Sequence, residues 1–108
     1  MLQKYFVTYY EEYPIYEPAE GGYYYAGRVA RGAKSFFNLD RAIAYAAERA
    51  QEYGLDTVTN DAQKIKDLLS KMPSALVGAH HTGYIGEGEM IIIEKRLGEK
   101  TSGWHPYE

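Results

Sequence analysis

Along the first third of the chain, apolar and polar positions alternate. "KYFVTYYEEY", residues 4–13, places Tyr5, Val7 and Tyr9 on one side and Phe6, Thr8 and Tyr10 on the other. That period of two, in a run dense in aromatic and β-branched residues, predicts a strand. Pro14 and Pro18 interrupt it, and a proline lacks the N–H that a ladder needs. "YPIYEPAEGG" therefore reads as a long connection, after which Gly21-Gly22 opens a second strand, "YYYAGRVA". Strands adjacent in sequence usually pair, which predicts an antiparallel hairpin with an extended loop. Gly27 within the second strand marks a bulge or a close backbone approach.

The period then lengthens to about 3.6 over "SFFNLDRAIAYAAERAQEYG". Leu39, Ala42, Ile43, Ala46, Ala50 and Tyr53 fall on one stripe, with Asn38 as N-cap, Asp40 at the positive end of the helix and Gly54 as its stop. The alanines allow this helix to lie close on a sheet. A shorter helix follows in "TNDAQKIKDLLSKMP", with Asn60 as cap, Asp61 in the first turn, Ile65, Leu68, Leu69 and Met72 inward, and Pro73 as terminator. "SALVGAHH" and "EMIIIEKR" read as two more strands around the glycine-rich "TGYIGEG", and the unbroken Met90–Ile93 run predicts a central one. The order β-β-α-α-β-β predicts an α+β fold: one domain over residues 1–108, a four-stranded, mainly antiparallel sheet, and two helices packed on one face.

Composition excludes several classes of function. The absence of cysteine removes disulfides, thiol nucleophiles and thiolate metal sites. The longest apolar runs fall far short of a membrane span, and the first residues lack the layout of a signal peptide, so a cytoplasmic location with no membrane contact is expected. The net charge of −3 is unevenly placed. Residues 1–27 hold Lys4 against Glu11, Glu12, Glu17 and Glu20, while the remainder carries eleven residues of each sign. A basic nucleic-acid footprint is missing, so direct nucleic-acid binding is not expected, and any partner drawn by the field is a basic one.

The same acidic segment is rich in tyrosine, which combines a large ring with a hydroxyl at low entropic cost and is favoured in recognition surfaces. Carboxylates beside such rings suit arginine, which pairs with the one and stacks on the other. Tyr13, Tyr16, Glu17, Glu20, Glu11 and Glu12 are the candidate partner-binding residues. The plainer alternative is that alternate tyrosines fill the core and the glutamates solvate a loop. A different class of function, sequestering of a nucleotide-type small ligand, would use His80, His81, Arg28, Arg31 and Tyr24. A third is a structural module that pairs with itself through exposed tyrosines. The adjacent histidines point to opposite faces of a strand and make no shared metal site. "GYIGEGE" matches neither the dinucleotide fingerprint nor the phosphate loop, and Ser35, Ser70, Ser74 and Ser102 lack a nucleophile context. No catalytic residue, metal or cofactor is expected.

With "PIYEPAEGGYYYAG", "SFFNLDRAIAYAAERAQEYG" and "GEMIIIEKRLGE", the chain resembles small accessory proteins of phages and integrative elements of Gram-positive bacteria. Inhibitors of host defence, including anti-CRISPR proteins, are common among them. The resemblance implies a non-enzymatic inhibitor of a bacterial host factor, such as a defence nuclease complex, that acts by occupying a basic, nucleic-acid-binding surface. It carries no site residue over to this chain.

Overall fold

A computed structural model describes residues 3–18, 21–59, 61–81 and 87–97, the side chains of residues 23–26 and 97 excepted. In chain order the elements are β1 (Gln3–Glu17), β2 (Tyr23–Phe36), α1 (Leu39–Glu52), β3 (Asp56–Thr57), α2 (Ala62–Lys71), β4 (Ser74–His81) and β5 (Gly88–Leu97). The sheet is antiparallel, with strand order β2-β1-β5-β4-β3. The α+β class and the pair of helices are as expected, but the sheet has five strands instead of four. The added strand, β3, is two residues long and pairs only with Gly78 and Ala79. A strand that short has no period to read.

The larger correction concerns the hairpin. β1 does not end before Pro14; it runs through it to Glu17 and pairs with β2 throughout, from Tyr5 opposite Phe36 to Glu17 opposite Tyr23. "YPIYEPAEGG" is thus mostly strand. The pairing of β1 with β5 ends at Glu12 opposite Gly88. Beyond that point β1 has one partner strand among the described residues, and a sheet admits proline where a backbone N–H has no ladder partner. The bulge falls at Arg31, the extra residue between Ala30 opposite Tyr10 and Gly32 opposite Tyr9. Gly27 instead serves the close approach: a Cβ there would stand 2.8 Å from the Tyr13 ring and 2.5 Å from Ile15 Cδ1. At the turn, Gly21 and Gly22 have φ of 99° and 75°, the left-handed region that suits glycine.

Both helices bury their apolar stripes in one cluster with Val7, Ala75, Val77, Ile91 and Ile93, and so lie on the same face of the sheet. α1 is capped as expected: Asn38 Oδ1 accepts from the Arg41 N–H at 3.1 Å. At the other end Gly54 takes φ 70°, and the N–H groups of Gly54 and Leu55 return to Gln51 O and Ala50 O at 3.1 and 2.8 Å, a complete Schellman motif. The cap of α2 is Asp61, which accepts from the Gln63 N–H at 2.9 Å, and not Asn60, which lies outside the described residues. Met72 is not inward. It is 46% exposed, because the helix ends at Lys71 and the backbone turns extended there.

On the opposite face Ala79, Met90 and Ile92 form a smaller cluster with Tyr10 and Leu76 against it. Thr8, fully buried there, is satisfied by Glu94, whose Oε1 accepts from Thr8 Oγ1 and Tyr10 Oη at 3.0 Å each.

α1 comes close to the sheet at Ala50. A Cβ on Gly78 would approach the Ala50 Cβ to 2.9 Å, with Leu55 Cβ and Asp56 O next at 3.5 and 3.4 Å. Gly78→Val is therefore expected to lower stability by about 1–3 kcal/mol, the usual range for overpacking a core. Urea unfolding should show a lower midpoint at an unchanged slope; an unchanged midpoint would contradict this account of the packing.

Candidate functional site

Two features of this fold offer surface for contact with other molecules. The first is the outer part of the β1–β2 ribbon. Five residue pairs, Tyr13 opposite Gly27 through Glu17 opposite Tyr23, continue past the last pair that β1 makes with β5. At about 3.3 Å per residue this arm is about 15 Å long. Tyr13 is 45% exposed with its ring laid against Gly27, and Tyr16 is 50% exposed with its hydroxyl beside Gly22. Both rings are thus braced by a position that has no side chain of its own. The Glu17 carboxylate makes no ion pair with any described residue, whereas Glu20 lies outside the described residues.

Glu11 and Glu12 belong to the base of the arm, not to its projecting part. Glu11 Oε2 meets Arg31 Nε at 3.3 Å, and Glu12 Oε1 meets His81 Nε2 at 3.4 Å. The second contact passes over Gly88, which stands opposite both Glu12 and His81, so the missing side chain of the middle strand lets the outer two meet.

The residues expected to form a small-ligand site are divided between the two faces. Arg28, opposite Glu12, lies with its guanidinium 5.2 Å from the centre of the Tyr10 ring on the face away from the helices. Arg31 reaches the helix-bearing face, His80 and His81 are exposed at the end of β4, and the side chain of Tyr24 is outside the described set. Among the described residues no three His, Asp or Glu side chains stand together so as to hold a metal ion.

The second feature was not visible in the sequence. α1 packs mainly on β5, β1 and β4 and less on β2, which it meets through Tyr45 against Phe36. A cleft of about 240 Å³ opens there, with Val7, Tyr9 and Ile91 in its floor, Tyr45, Arg49 and Tyr53 on the helix side, and Arg31 to Lys34 along β2. Tyr45, Arg49 and Tyr53 are spaced i, i+4, i+8, which brings them to one side of the helix and its C-terminal cap. The Tyr9 and Tyr53 rings pack at 4.6 Å between centres. Lys34 Nζ and the Arg49 guanidinium each lie 5.0 Å from the centre of the Tyr45 ring. A helical-stripe reading assigned Tyr53 inward, and the remaining partners come together only through β-pairing, so no local pattern would have revealed the set.

Comparisons with family models, curated proteins and solved structures each return no match.

At the edge of the cleft the Tyr9 hydroxyl donates to Glu89 Oε1 at 2.5 Å. Burial first, then this bond and the nearby charges of Glu89 and Glu11, hold the Tyr9 phenol well above the ordinary tyrosine range. Its folded-state value lies above its unfolded one, so its contribution to stability is complete below about pH 10 and is lost as pH rises beyond that. Unfolding free energies measured by urea titration at about pH 9 and pH 11 should fall more steeply for the native chain than for Tyr9→Phe. Equal slopes would show that Tyr9 titrates no differently from a solvated tyrosine.

Proposed function

We propose that the protein is a non-enzymatic binding protein whose contact element is the projecting β1–β2 arm. The observation that carries this reading is the continued pairing of β1 with β2 beyond its last β5 partner, with two half-exposed tyrosines on the extension. A two-stranded arm presents its side chains from a paired backbone, so little ordering entropy remains to be lost on binding. Tyr13 and Tyr16 supply ring surface, and Glu17 supplies a carboxylate without an internal cation among the described residues. This chemistry fits a basic protein surface: arginine on the partner would pair with Glu17 and stack on the rings.

The charge argument becomes narrower than the sequence suggested. Glu11 is paired with Arg31, and Glu12 Oε1 stands 3.4 Å from His81 Nε2 at the base of the arm, which leaves Glu17, with Glu20 by sequence, as the acids of its outer part. One or two carboxylates do not imitate a phosphate backbone, so the arm acts by filling a groove and not by resembling a duplex. Occupation of a nucleic-acid-binding groove on a host defence factor is the form that this binding takes in the reading, supported by the resemblance to small proteins of mobile elements.

Tagged protein and a Tyr13→Ser, Tyr16→Ser double variant, both incubated with a bacterial lysate, test it. The native chain should retain a basic partner and lower that partner's binding to nucleic acid, and the variant should lose both effects while keeping its thermal midpoint within a few degrees. Retention of the same partner at the same affinity by the variant would remove the arm as the contact.

A further inference from the structure

We propose that the cleft between α1 and β2 is a binding site for a small anion carried on one flat ring. Its lining contains three cations, Arg31, Lys34 and Arg49, and no carboxylate. Two of these have partners outside the cleft: Arg31 pairs with Glu11, and Arg49 with Glu52 and Glu48. Lys34 has none among the described residues and is held only over the rings of Phe36 and Tyr45, at 5.6 and 5.0 Å. Arg49 keeps its Nε hydrogen without an acceptor among those residues. A lysine placed beside an apolar floor, with no anion of its own, is the group that an incoming carboxylate or phosphate would pair with.

The space for the ligand has an identifiable cause. Gly32 stands opposite Tyr9, so its missing side chain would point to the helix-bearing face, and a Cβ built there would meet nothing within 4 Å. The backbone at Gly32 has negative φ, so its conformation does not call for glycine. The glycine therefore keeps the cleft open where a larger residue would fit without a clash. Tyr9 and Tyr53 provide ring surface at this end. Lys34, opposite Val7, marks the charged end, one two-residue step or about 7 Å along β2. The volume lies below the ~300–1,000 Å³ of drug-sized sites, which restricts the occupant to one ring with its anionic group. Aromatic carboxylates and aryl phosphates share that chemistry.

The test is a ¹H–¹⁵N titration with 4-hydroxybenzoate, phenyl phosphate, inorganic phosphate and phenol as separate probes. At least one of the two ringed anions should give saturable shifts at Gly32, Ala33, Lys34 and the second half of α1, and the benzoate and phenyl phosphate arms distinguish the two sources of the anion. Phosphate alone and uncharged phenol should bind at least tenfold more weakly. Gly32→Leu should abolish the shifts with the thermal midpoint retained, and Lys34→Gln should weaken binding about tenfold, the loss expected of one charge-assisted hydrogen bond. No saturable shift from either ringed anion at millimolar concentration overturns the proposal. So do unchanged shifts in a folded Gly32→Leu or, should that variant not fold, an unchanged affinity in Lys34→Gln.

Discussion

The structure depends on the unequal reach of the two strands that flank β1. β2 accompanies β1 from Tyr5 to Glu17, whereas the described pairing with β5 ends at Glu12. Inside that limit β1 is a central strand with Val7 in the main core and Phe6 and Thr8 fully buried on the other face. Outside it, among the described residues, the same strand is half of a two-stranded ribbon. Isolated ribbons of this kind are marginal in water, and here the covalent continuity with a packed sheet supplies the register that the arm could not hold alone. The stacking of Tyr13 over Gly27 adds ring contact where the opposite residue has nothing to pack.

The position of α1 follows from its alanines. Ala42, Ala46 and Ala50 are buried, and Ala50 meets Gly78, so the helix settles deeply over β4 and β5. A helix held that close to one side of the sheet does not cover the other side, and β2 is left exposed along the cleft. Its edge is blunted by Arg28, Arg31 and Lys34 and by the bulge at Arg31, devices that discourage pairing with another chain's strand. Two of these charges, Arg31 and Lys34, also line the cleft.

Much of this was legible in the chain. The stripe and caps of α1, the span Ser74–His81, and the centrality of the Met90–Ile93 run follow from period, capping chemistry and continuous hydrophobicity. Two features were not. Pro14 reads as a breaker because sequence does not say that the described pairing with β5 ends before it, so the position that tolerates proline is a fact of topology. The cleft joins Tyr9, Gly32, Lys34 and Arg49 from three elements, and its cause is a side chain that is missing at Gly32. Local pattern registers residues that are present and is silent about the space above one that is small. The acids of the arm were legible as a count but not as a surface, since the partners of Glu11 and Glu12 lie 20 and 69 positions away.

The account rests on residues 13–17 being ordered strand and not loop. Backbone NMR of the isolated protein measures this directly through amide exchange and cross-strand contacts. The account predicts cross-strand contacts that place Tyr13 opposite Gly27 and Tyr16 opposite Tyr24, with amide protection among residues 13–17 above that of an unstructured peptide. Exchange at the unstructured rate, without any cross-strand contact past Glu12, would return this stretch to a loop and leave the two tyrosines with no rigid element to present them.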